Sequence, residues 1–98
     1  MKKILTFRIC KEGFEKIIHE GKVQPKYREA KDFWRNRLFE KTGLPKKFDE
    51  VHIINGYKKT SPLAIVEFKS ISGIEEHEEK DCYKIEFGNI LEIQNVRE

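Results

Sequence analysis

The chain has 98 residues, 38% hydrophobic and 38% charged, with a formal net charge of +3. A chain this short supports one domain, residues 1–98, because half of it would bury too little to offset its ordering entropy. The modest positive charge permits contact with phosphate without demanding it, and Arg8 cuts the apolar run "ILTF" far short of the roughly 20 residues that span a bilayer, so a cytoplasmic protein with no membrane partner is expected.

"KILTFRIC" alternates β-branched and aromatic residues and predicts a first strand. In "KEGFEKIIHEGK", Phe14, Ile17 and Ile18 share one helical face, and Gly21 marks the C-terminal stop. His19 is an ordinary residue of the last turn, where a positive charge suits the helix dipole. "VQPKYR" predicts an edge or irregular strand, because Pro25 lacks a backbone donor and holds Gln24 out of the helical region. A second short helix follows in "EAKDFWRNRLFEKTGLP", closed by Gly43 and Pro45, with Trp34 and Leu38 on its inner side.

Strands fill the remainder. "FDEVHIINGY" is one, ending at the turn signal Asn55-Gly56; "SPLAIVEFKSISGI" is a long one; "CYKIEFGNILEIQNV" is read as two strands around Gly88-Asn89. "EEHEEKD" between them is read as a solvated acidic loop. Cys10 and Cys82 lie far apart with no CxxC spacing and no clustered histidines, which predicts buried free thiols and no metal site. The order β, α, β, α, then about four strands has no βαβ rhythm, so an α+β fold with a small barrel of about five to six strands and two short helices is expected.

The segments "FEKIIHEGK", "KYREAKDFWRNRL", "FDEVHIINGY", "AIVEFKSI" and "YKIEFGNILEI", in this order, resemble the ASCH domain, a PUA-like β-barrel family, especially its short bacterial and phage members. The resemblance covers nearly the whole chain. It implies a barrel with a cleft beside the two helices and an RNA or nucleotide partner. The family's usual pattern after the first helix is Gly-x-Lys-x-x-Glu-x-Arg. Gly21 and Arg28 match it, whereas Val23 stands at the Lys position and Lys26 at the Glu position. Lys22 is one residue from the usual Lys, and on a strand adjacent residues point to opposite faces unless the backbone bulges.

Residues 22–47 hold nine basic side chains and three acidic ones, a local charge of +6, interleaved with Tyr27, Phe33 and Trp34. Bases stack on aromatic rings while guanidinium groups fork onto phosphate oxygens. The expected ligand-binding residues are Lys26, Tyr27, Arg28, Arg35, Arg37, Asn55, Tyr57 and Glu67, with Trp34 read as the core anchor of the second helix. Glu67 interrupts the apolar run "LAIVEF" and is expected to pair with Arg28 or Lys26.

The leading expectation is therefore an RNA- or nucleotide-binding module that uses no metal and no cofactor. A small amidohydrolase is the alternative, since some enzymes of the resembling fold deacetylate 4-acetylcytidine with a Lys, a Thr and a Glu. Of these only Glu67 aligns, with Val23 and Lys26 at the other two positions; Lys26 or Lys22 would then serve as the oxyanion's charge partner. A protein-interaction domain using the acidic segment is the third reading.

Overall fold

Alternation along the first strand sets the inner and outer faces of the molecule. The computed structural model describes residues 2–96. In β1 (Ile4–Arg8) Leu5 and Phe7 are buried while Ile4 and Arg8 are exposed, as a strand with one covered face requires. Helix α1 (Lys11–Glu20) buries Phe14 and Ile17 and stops at Gly21, whose φ of 73° is the left-handed cap that glycine adopts without steric cost. Ile18, expected on the same face, is partly exposed. Cys10 is not a buried thiol as expected: it is exposed and caps α1, its Sγ accepting the Gly13 N–H at 3.4 Å. Cys82 is buried and free.

The sequence then returns as β2 (Lys26–Glu29), which pairs antiparallel with β5 alone and is an edge strand, in keeping with the preceding proline. Helix α2 (Asp32–Leu38) is a turn shorter than its sequence pattern: it ends at Phe39, and Gly43, at φ 90°, belongs to the loop that the Phe39–Pro45 bridge closes. Strand β3 (Glu50–Ile54) buries Val51 and Ile53 and runs parallel to β1.

Strands β4 (Leu63–His77) and β5 (Lys80–Gln94) form one long antiparallel hairpin. The segment expected to hold two strands is therefore a single strand, and the acidic segment is not a loop, since the strands run on to a two-residue turn at Glu78-Glu79. A straight strand of this length would reach about 50 Å, beyond the molecule's longest extent of 43 Å. Register shifts between Ile65 and Ile74 bend it, as bulges do. At one bulge Gly88 passes Glu67 so closely that a Cβ there would lie 3.0 Å from the Glu67 Cβ.

The sheet order is β1-β3-β4-β5-β2, and the fold is α+β, with five strands and two helices among the described residues. It is not the closed barrel that was expected. No hydrogen-bonded ladder joins the edge strands β1 and β2; the Arg28 side chain instead reaches from β2 over the Phe7 ring of β1, with Trp34 of α2 stacked on Phe7. Side chains fill the seam that backbone pairing would close in a barrel. The core beneath runs through Phe7, Phe14, Leu38, Ile53, Val66 and Ile85.

Candidate functional site: a cationic and aromatic seam

Strand β2 presents its residues in alternation. Lys26 lies opposite Ile85 and Arg28 opposite Tyr83, both buried, so these two cations share the inner face. Tyr27 and Glu29, opposite Lys84 and Cys82, take the other face. The Arg28 guanidinium carbon stands 5.0 Å from the Phe7 ring centre and 5.4 Å from that of Trp34, and its Nη1 donates to the Tyr27 carbonyl at 2.8 Å. Among the described residues no carboxylate lies within 4.0 Å of either Lys26 or Arg28.

The electrostatics follow from this half-buried and unpaired state. Partial burial holds the Lys26 ammonium below the ordinary lysine range, and the like charge of Arg28 lowers it further. Burial likewise lowers Arg28, which stays a guanidinium because its ordinary value is so high. Two cations kept near each other without an acid are costly to the fold. An anion held beside them would relieve that cost.

Helix α2 adds the aromatic side. Trp34 stacks on Phe7 with ring centres 5.7 Å apart and meets Phe33 edge-on at 5.3 Å. Arg37 lies over Phe33 at 5.0 Å and Trp34 at 5.9 Å. Phe33 is 60% exposed beside the Arg37 guanidinium, and Trp34 lies between the Arg37 and Arg28 guanidinium groups. Trp34 packs against the core with part of its surface open, and so combines the anchor role read from the sequence with a place in the seam.

The other expected site residues go elsewhere. Arg35, two positions before Arg37 and so on another helical face, is bound to Asp32 at 2.7 Å and lines a separate open groove with Phe39, Ile74 and Tyr83. Tyr27 stacks flat on His77, 3.7 Å between centres, on the face away from Arg28. Tyr57 is exposed in the loop after β3 and lies under Arg8, and Asn55 donates its backbone N–H to the Pro62 carbonyl in that loop. The expected pairing of Glu67 with Arg28 or Lys26 is absent: Glu67 is exposed and its Oε1 accepts the Asn89 N–H at 3.0 Å, satisfying a backbone donor that the bulge at Gly88 leaves free. Val23 is a core residue and Lys22 is exposed, both ahead of β2.

Phe7 and Arg8 were absent from the sequence-based set of binding residues. Strand alternation marks Phe7 as inward, but that β2 would cross to it is a tertiary fact with no local signal. Among the described residues no cluster of three His, Cys, Asp or Glu side chains is placed to hold a metal ion, and no helix is long and apolar enough to cross a membrane. Compared with known families, curated proteins and solved structures, the chain matches none.

Proposed function

We propose that the seam between β1 and β2 binds a nucleotide, with Lys26 and Arg28 holding phosphate and the Phe33–Trp34 surface, flanked by Arg37, taking the base. The observation that carries this reading is the Lys26–Arg28 pair: two half-buried cations on one strand face with no carboxylate partner among the described residues. Two other cations of the same segment are occupied, Arg35 by Asp32 and Lys31 by Glu29. A cation desolvated without a partner gains most from an anion, since the guanidinium fork and the ammonium both match phosphate oxygens. The ASCH-like pattern points to the same class of ligand through Arg28.

Trp34 is the chain's sole tryptophan, so its fluorescence reports on this seam. Titration with 5′-UMP is expected to quench it saturably, while uridine, lacking the phosphate, leaves it nearly unchanged. Lys26→Met and Arg28→Met should each weaken UMP binding about tenfold or more, the loss of one charge-assisted contact of about 1.5–3 kcal/mol. Equal responses to uridine and UMP, or an unaltered UMP response in both variants, contradict the assignment. The Glu67 carboxylate caps the Asn89 amide, and among the described residues no ion pair joins it to Lys26 or Arg28, so the amidohydrolase alternative lacks the charge partner it was expected to use.

A further inference from the structure

The same edge strand carries a second arginine–aromatic pair on its opposite face. Phe7 points inward beneath Arg28, and its neighbour Arg8 points outward. There the Arg8 guanidinium lies 4.9 Å from the Tyr57 ring centre and its Nη1 donates to the Gly56 carbonyl at 2.6 Å. Tyr57 is 86% exposed, yet its loop is not loose. The Asn55 N–H reaches the Pro62 carbonyl at 2.9 Å, and Ser61 Oγ accepts the Lys58 N–H at 2.9 Å. Arg8, Lys58 and Lys59 have no carboxylate within 4.0 Å among the described residues. The acid lining the recess beside this loop, Glu15, is engaged by Lys11 at 3.8 Å.

We infer that the loop 55–61 together with Arg8 is a second contact site, for single-stranded nucleic acid. An exposed aromatic ring held in place by an arginine offers a face on which any base stacks, and nearby cations without acidic partners track a phosphate backbone. The residues flanking Tyr57 in its loop, Gly56, Lys58, Lys59 and Thr60, bring two cations and no large apolar side chain to it. Because β1 is the edge of the sheet, no further hydrogen-bonded strand separates its two faces on that side. With the seam proposed above, on which this step alone rests, the ligand becomes a polynucleotide rather than a free nucleotide.

The test uses a fluorescein-labelled 12-mer of uridylate, as RNA and as its deoxy counterpart, followed by anisotropy, beside UMP followed by Trp34 fluorescence. Tyr57→Ala combined with Lys58→Ala and Lys59→Ala should weaken 12-mer binding about tenfold or more, the loss of one stacked base and two phosphate contacts, and leave the UMP response unchanged. Tyr57→Phe, which keeps the ring, should retain most of the affinity. A triple variant that binds the 12-mer like the wild-type chain overturns the second site, as does a wild-type chain that binds no 12-mer. Binding of the 12-mer that depends on Tyr57 without any UMP response upholds the loop and removes the seam. Equal affinity for both 12-mers supports backbone and stacking contacts, whereas strict preference for RNA contradicts them as sufficient.

Discussion

At the scale of single residues, the seam is a place where stability has been given up. Lys26 is half-buried, lacks a partner among the described residues and is depressed by that burial. Lys26→Met is therefore expected to raise Tm slightly while weakening the ligand. The pH dependence has a definite sign. With the folded-state value below the unfolded one, the unfolded chain binds more protons between the two, so wild-type stability rises with pH across that alkaline window. Below it the cost of the charge is constant. The stability advantage of Lys26→Met should thus be full at neutral pH and shrink as pH climbs through the window, which parallel melting series of the two proteins would show. A constant difference up to the unfolded lysine value contradicts the assigned environment. Trp34→Ala should cost about 3 kcal/mol, the lower end for truncating a large aromatic, because the ring is stacked on Phe7 but partly open. Urea unfolding measures this.

At the scale of elements, the β4–β5 hairpin dominates the sheet and turns on unusual residues. Glu78 and Glu79 have φ of 50° and 66°, the paired positive values of a tight hairpin turn in which Asn-Gly is preferred. Glu78→Asn with Glu79→Gly should stabilise the domain by about 1 kcal/mol, since non-glycine residues are strained there. An unchanged or lower urea midpoint would argue against this turn. Gly88→Ala should act oppositely, costing about 1–2 kcal/mol, because the new methyl would press on Glu67 and disturb its bond to the Asn89 amide. These elements also show what was legible beforehand. Helix α1, its glycine cap and the edge character of β2 follow from local spacing, from Gly21 and from Pro25. The single strand through Gly88-Asn89 does not, since a bulge and a chain reversal carry the same glycine signal. "EEHEEKD" reads as loop because two glutamates are poor turn residues, and cross-strand pairing overrode that preference.

At the scale of the whole molecule, residues 22–47 carry +6 of a net +3, leaving −3 for the remainder of the chain. The fold divides that positive charge. Arg35 and Lys31 are neutralised locally and Lys46 donates to the Asn36 carbonyl, whereas Lys26, Arg28 and Arg37 gather beside the open edge of the sheet without carboxylate partners among the described residues. Lys26 and Arg28 were read as candidates from the density of basic residues and from the ASCH-like pattern; their two-residue spacing on β2 puts them on one face. The separation of Tyr27, Tyr57 and Glu67 from them was not legible, because it depends on which face each strand turns to its neighbours. Between β1 and β2 the sheet is left open, with side chains instead of backbone filling the gap, and under the proposed function this is where the phosphate would enter.

The most direct measurement of this account is a ¹⁵N NMR titration of the full chain with 5′-UMP. Saturable shifts of the Lys26 and Arg28 amides and of the Trp34 indole N–H are expected, with the groove beside Ile74 and the turn at Glu78-Glu79 unmoved. Absence of shifts at Lys26, Arg28 and Trp34 at millimolar UMP, or shifts confined to that groove, would contradict it.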